Sequence, residues 1–168
     1  MKTDEFVIEK VKLAFHEVTK PSYFTNRDHC EECAEHDDLL RSHDRDTLGL
    51  EQLANPGWDP LCFCSAEGKA YYMPALVSCA LRQDPEGVLP YWQQMLFHLE
   101  GDGPNNALIT WCSTAQRQAV AIFLEHLIES RADAIERYGA VDDILKVHGY
   151  WTTASDPSRL AKEVAADG

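Results

Sequence analysis

Apolar residues recur at helical spacing along most of the chain. Between residues 4 and 18, Val7, Val11, Phe15 and Val18 fall on one face while charged residues occupy the others. This pattern is typical of an amphipathic helix. The same periodicity predicts further helices over residues 29–43, 66–82, 86–99, 115–138, 141–147 and 157–166.

Three segments interrupt this regular pattern. Pro74 lies inside the 66–82 helix and is expected to kink it or to split it into two pieces. Residues 61–64 form a short apolar run that we interpret as extended. Residues 107–112 fit a strand or the lead-in to a helix equally well, and the pattern does not separate these alternatives.

The pattern as a whole predicts a mainly α fold, a compact helical bundle of about five to seven helices with little or no β structure. A length of 168 residues fits one domain over residues 1–168, with a candidate frayed tail at 153–168. Hydrophobic residues make up 45% of the chain, enough to build a core without disulfide bonds.

The net charge of the chain limits the kinds of molecule that it is expected to bind. Against 28 acidic residues the chain has 15 Lys and Arg, a net charge of −13. Such a charge repels nucleic acids and anionic membranes and fits a basic protein partner or simple solubility. The residues after Met1 do not resemble a signal peptide, and the longest uncharged apolar run, 70–81, is too short to cross a bilayer. We therefore expect a cytoplasmic protein, and the sequence carries no indication of its oligomeric state.

Cysteine and histidine residues that could bind a metal ion are clustered around residue 30. If 29–43 is helical, then His29, Cys33, His36 and His43 fall on one stripe of the helix, with Leu40 among them. A core-facing helix normally places leucine and isoleucine on such a stripe. Here imidazoles and a thiol occupy it.

This cluster predicts a candidate zinc site. Zinc prefers four tetrahedral ligands, and thiolate and imidazole both suit it. Cys30 and Cys33 would supply two ligands and His36 a third, with Cys62 or His29 as the fourth. In a cytoplasmic protein, cysteines are more often free thiols or metal ligands than disulfides.

Two other interpretations stay open. The cysteines and histidines of this helix could simply be packed and hydrogen-bonded. A redox pair is the other alternative, because Cys30 lies near a helix start with Asp28 as a candidate cap. Against it, no strand is predicted to precede the motif, and the neighbouring Glu31, Glu32 and Glu35 should raise the thiol pKa.

Three segments carry a resemblance to a known family. They are HCEECAEHD at 29–37, DPLCF at 59–63 and YYMPAL at 71–76. Together they resemble a family of uncharacterised bacterial proteins classed as a domain of unknown function. The resemblance covers mainly residues 29–82 and implies a small bacterial protein, without an activity or substrate. It also implies that these segments form one architectural unit, which would bring Cys62 near the Cys/His helix.

The functional hypothesis is a non-catalytic interaction or accessory domain with a structural zinc site. The chain contains none of the metalloprotease, nucleophile-elbow or dinucleotide-binding motifs, which favours a protein that is not an enzyme. Two alternatives remain. One is a small thiol- or metal-dependent enzyme that uses the same cluster, and the other is an acidic, immunity-type protein that binds a basic partner.

Overall fold

The computed structural model describes residues 1–83, 89–156 and 158, and these residues form helices joined by turns, with no strand among them. The predicted mainly α fold is therefore confirmed. Within this part of the chain no helix combines the length and the apolar character needed to cross a membrane. The α-helices here are α1 (Asp4–Phe15), α2 (Glu31–Arg41), α3 (Leu50–Leu53), α4 (Ala66–Arg82), α5 (Tyr91–Glu100), α6 (Ala107–Trp111), α7 (Thr114–Ser130), α8 (Ala132–Arg137) and α9 (Val141–Ala154).

Helix α4 matches its predicted bounds. The Ser65 hydroxyl accepts a hydrogen bond from the Gly68 amide at 3.1 Å and so caps the first turn. The helix is not split at Pro74, although proline removes one helical hydrogen bond. Pro74 and its neighbours Met73 and Ala75 are buried, and this apolar burial offsets the missing bond.

The predicted 115–138 helix is interrupted at Arg131, where α7 ends and α8 begins. One cause is local, because the Ser130 hydroxyl donates to the His126 carbonyl at 2.6 Å and competes with the helical bonding pattern. The backbone of Arg131 is not helical (φ −125°, ψ 24°), and its side chain forms an ion pair with Asp4 at 2.8 Å.

Other boundaries also differ from the predictions. Residues 107–111 are helical, and Asn106 caps them by accepting from the amides of Leu108 and Ile109. Helix α9 continues to Ala154, seven residues beyond the predicted end, because Trp151 on its apolar face is fully buried. Residues 86–88 of the predicted 86–99 helix lie outside the described residues, as do the predicted 157–166 helix and the tail beyond Asp156, except for Ser158.

The helices group into two compact units. One unit comprises Met1–Ala14 and the described part of Leu99–Gly168, and the other comprises Phe15–His98. The prediction of one domain over the whole chain stays a prediction.

In the first unit, α7 packs against α9 and α1 is tied by ionic contacts. The Asp4 carboxylate lies 2.7 Å from Nε2 of the buried His126 and also pairs with Arg131. The Trp151 indole donates to the Leu99 carbonyl at 3.1 Å, so this buried ring keeps a partner for its N–H.

The second unit contains the Cys/His segment, and aromatic residues join that segment to α4. The Phe24 and Tyr72 rings stack with centroids 5.2 Å apart. The Tyr72 hydroxyl lies 2.5 Å from the Leu40 carbonyl oxygen and 2.8 Å from that of His43, just past the end of α2. The end of α2 is thus fixed to the buried face of α4.

Two glycines give opposite predictions. A Cβ at Gly68 would lie 2.6 Å from the Cys64 sulfur and 2.7 Å from a carbon of the buried Phe24 ring, whereas a Cβ at the exposed Gly149 in α9 meets nothing within 4 Å. We expect Gly68→Ala to lower the free energy of unfolding by about 1–3 kcal/mol through overpacking. The control Gly149→Ala should raise it by about 0.5–1 kcal/mol. Urea unfolding followed by circular dichroism measures both, and a neutral Gly68→Ala would contradict the close packing.

Candidate metal centre

Helix α2 begins one residue after Cys30, and Cys30 itself is the N-cap. Its backbone is extended (φ −164°, ψ 169°), and its sulfur accepts a hydrogen bond from the Cys33 amide at 3.4 Å. The expectation that Asp28 caps this helix is therefore wrong. His29 precedes the cap and lies outside the helix. Of the residues on the predicted stripe, Cys33, His36 and Leu40 are both helical and buried.

Three of the predicted ligands converge at this helix start. The Cys30 and Cys33 sulfur atoms are 3.2 Å apart, and the Cys33 sulfur is 3.4 Å from Nδ1 of His29. The ligand atoms of all three residues lie within 4.8 Å of one another. His29 is exposed, Cys30 is half-buried and Cys33 is 2% exposed. This group could hold a metal ion at the edge of the protein, with one side towards solvent.

His36 is not a member of this group. It is fully buried, with its Nε2 at 3.3 Å from a Glu32 carboxylate oxygen and its ring 4.7 Å from the ring of Trp58. Its Nδ1 is buried with no hydrogen-bond partner among the described residues. The His36 side chain therefore packs beside the cluster.

Cys62 also lies outside the group, and its segment is not extended. The Cys62 amide donates to the Asp59 carbonyl and the Cys64 amide to the Leu61 carbonyl, which makes residues 59–64 a series of turns. The side chain of Cys62 is exposed while that of Cys64 is buried. Proline and polar residues on both sides of this apolar run favour turns over a strand.

An aromatic residue of this turn, Phe63, lies beside the two histidines. The Phe63 ring centroid is 6.2 Å from the His29 ring and 6.2 Å from the His36 ring. Phe63 and Trp58 are 43% and 42% exposed, so two partly exposed aromatic rings flank the histidines.

A buried aspartate that spacing arguments missed holds this turn in place. The Asp59 carboxylate accepts from the Leu61 amide at 2.9 Å and from Gln94 at 2.8 Å, and it lies 2.7 Å from Nε2 of His98. Burial alone would raise its pKa, but His98 and the other donors outweigh burial and lower it. The sequence indicated only that an aspartate precedes a proline, and its partners lie 35 and 39 residues away.

A second buried carboxylate fixes the segment before α2. Asp37 accepts from the backbone amides of Phe24 and Thr25 at 2.6 and 3.1 Å and from Arg27 at 2.8 Å. The Thr25 hydroxyl in turn donates to the Cys33 carbonyl at 2.6 Å. Burial raises the Asp37 pKa, but Arg27 and the two amides together lower it below the ordinary value.

The two thiols of the cluster differ in acidity. The Cys33 amide, the Cys33 thiol and His29 stabilise the Cys30 thiolate and lower the pKa of Cys30. Burial, the neighbouring Cys30 and the Glu32 carboxylate raise the pKa of Cys33 to about 11. The expectation that a flanking glutamate raises a thiol pKa is confirmed for Cys33, through Glu32, and is wrong for Cys30, whose pKa is lowered by the hydrogen bonds at the helix start.

Comparison with known proteins gives no indication of what the site does. No family model, no curated protein and no solved structure matches the chain. The contacts around the start of α2 are therefore the observations that indicate the chemistry of the site.

Replacing Asp37 by asparagine tests the role of this carboxylate in holding the segment before α2. We expect Asp37→Asn to lower the free energy of unfolding at pH 7 by about 1–3 kcal/mol, because Arg27 loses its buried ionic partner. The folded-state pKa of Asp37 lies below the ordinary 3.8, so the carboxylate stabilises the fold above pH 3.8. The difference between the two proteins should stay constant down to about pH 5 and shrink as the pH falls through the folded-state pKa. Chemical unfolding across this pH range measures it, and a difference that grows in acid would contradict the assignment.

The thiol acidities predict an order of alkylation. In the reduced, metal-free protein at pH 7.5, we expect iodoacetamide to modify Cys30 before Cys62, although Cys62 is more exposed. The reason is that the pKa of Cys30 is lowered from 9.0 while burial raises that of Cys62, so Cys30 has the larger thiolate fraction. Peptide mass spectrometry at timed quenches measures the order. The fast phase should vanish in Cys30→Ser, and faster modification of Cys62 would disprove the expected order.

Proposed function

We propose that the protein is a zinc-binding accessory protein that holds one ion through His29, Cys30 and Cys33. The observation that supports it is the convergence of these three ligand atoms within 4.8 Å at one helix start. Two sulfurs and one imidazole nitrogen form a donor set that favours zinc over magnesium or calcium, which prefer oxygen ligands.

The distances suit this ion with a small adjustment. With zinc–sulfur bonds of about 2.3 Å, two thiolates of a tetrahedral site lie about 3.8 Å apart, and a thiolate and an imidazole nitrogen about 3.5 Å apart. The corresponding distances in the protein are 3.2 Å and 3.4 Å. The sulfur pair must therefore open by about 0.6 Å, and the third pair, the Cys30 sulfur and the His29 nitrogen, lies within 4.8 Å and must reach about 3.5 Å.

The three ligands leave the fourth coordination position of the zinc ion open. His29 is exposed and Cys30 half-buried, so an ion between them faces solvent and takes its last ligand from water or from a bound partner. A structural site with four protein ligands would need His36 or Cys62 to join, and neither belongs to the converging group. We therefore favour an exchangeable ion over a permanently enclosed one.

The open position also favours a second candidate, a small metal- or thiol-dependent enzyme. Catalytic zinc sites keep one position for water or substrate, and the lowered pKa of Cys30 favours a reactive thiolate. Against it, the described part of the chain brings no further acid or base into the group of three ligands.

Zinc titration of protein purified without an affinity tag tests the proposal. We expect one zinc ion per chain, measured by competition with a chromophoric chelator. Removing a residue that only hydrogen-bonds to a metal ligand typically lowers metal affinity by about 10–100-fold. Cys33→Ser and Cys30→Ser each remove a ligand itself, so each should lower zinc affinity by at least that much. His29→Ala should weaken binding in the same direction.

Two matched variants complete this experiment. Cys62→Ser and Cys79→Ser also remove one thiol each, and zinc affinity should stay at the wild-type level in both. Affinity that falls as far in Cys62→Ser as in Cys33→Ser would replace the three-ligand site with a four-ligand one. The absence of stoichiometric zinc in reduced wild-type protein would overturn the proposed function.

A further inference from the structure

We infer that Cys30 and Cys33 form a reversible intrachain disulfide by exchange with a small-molecule or protein disulfide, and that its formation releases the metal ion. The release of metal rests on the proposed function, whereas the disulfide itself does not. The disulfide gives the metal site a redox control.

The geometry favours this bond. The two sulfurs are 3.2 Å apart, and a disulfide bond is about 2.05 Å long, so they must approach by about 1.2 Å. Residues three apart on a helix are already neighbours. Cys30 is the N-cap, so a rotation of its side chain can move the sulfur while its carbonyl keeps the first helical hydrogen bond, from the Ala34 amide. Only the bond from the Cys33 amide to the Cys30 sulfur is exposed to this movement.

Exposure divides the two sulfurs into an entry thiol and an internal one. Cys30 is half-buried and can meet an external disulfide, whereas Cys33 is 2% exposed. A mixed disulfide formed at Cys30 therefore lies against a second thiol that external thiols cannot easily reach. The nearby Cys33 sulfur is then the favoured attacker, because it competes with external thiols at high effective concentration.

The exchange balances in two steps. The Cys30 sulfur attacks one sulfur of the external disulfide, whose S–S bond breaks, and the first external thiol leaves with the proton of Cys30. The Cys33 sulfur then attacks the Cys30 sulfur of the mixed disulfide, and the second external thiol leaves with the proton of Cys33. Two electrons pass from the protein to the external disulfide, which is reduced to two thiols.

Metal binding and disulfide formation use the same two sulfur atoms, so one excludes the other. A disulfide ties up two of the three ligand atoms, and a bound ion holds both sulfurs as thiolates. The effect is reciprocal, since an ion that binds only the dithiol form stabilises that form by mass action. At free zinc about 100 times its Kd, half-oxidation should need an oxidant-to-reductant ratio about 100-fold higher.

The test uses the full, tag-free chain in anaerobic glutathione buffers of graded composition. Samples are acid-quenched, alkylated, digested and measured by mass spectrometry. We expect the peptide or peptides with Cys30 and Cys33 to carry one internal disulfide that dithiothreitol reverses, and zinc at 100 times its Kd to shift the midpoint about 100-fold. From zinc-loaded protein, a chromophoric chelator should detect one ion released per disulfide formed.

Variants separate the inference from the proposed function. Cys33→Ser should stop at a mixed disulfide on Cys30, Cys30→Ser should form no intrachain bond, and the control Cys62→Ser should behave as wild type. Circular dichroism checks that each variant is folded. Protein that binds one zinc ion but forms no Cys30–Cys33 bond in oxidised glutathione would overturn the inference and leave the function standing. A disulfide in protein that never binds zinc would support the exchange and overturn both the function and the release of metal.

Discussion

The start of α2 is shaped by a hydrogen bond from the Cys33 backbone amide to the side-chain sulfur of Cys30. The first amides of a helix have no partner within the helix, and here the side chain at the cap accepts from one of them. Here that side chain ends in sulfur, and the cap draws the Cys30 sulfur over the first turn, against the sulfur of Cys33. The same chain direction leaves His29 just outside the helix with its Nδ1 near that pair. The metal-binding geometry is thus a direct result of how the helix begins.

Two buried carboxylates hold the surroundings of this cap. Asp37 fixes the segment that enters α2, and Asp59 fixes the turn that carries Phe63 to the histidine rings. A buried carboxylate is costly unless donors surround it. Each of these two has at least three, and in each the donors outweigh the effect of burial on the pKa. Because both networks include backbone amides, they define chain conformation as well as charge.

The sequence predicted the fold better than the site. Periodicity and the Ser65 cap gave the bounds of α4, and helical spacing correctly placed Cys33 and Leu40 on the buried side of α2. It could not show that Cys30 is the cap, because cysteine is not among the common capping residues. The turn at Cys62 and the contacts of Asp59 depend on partners distant in sequence, which local spacing does not reveal. His29 joins the cluster because it precedes the helix, whereas the stripe placed it inside.

The hydrogen bonds of Asp37 have a consequence for how the connector before α2 moves. Phe24 and Thr25 belong to no regular helix, yet both amides are buried and bonded to a carboxylate. Amide protons exchange with solvent deuterium only when such bonds open. These two should therefore exchange as slowly as helical amides, so this irregular stretch opens only together with the core that surrounds it.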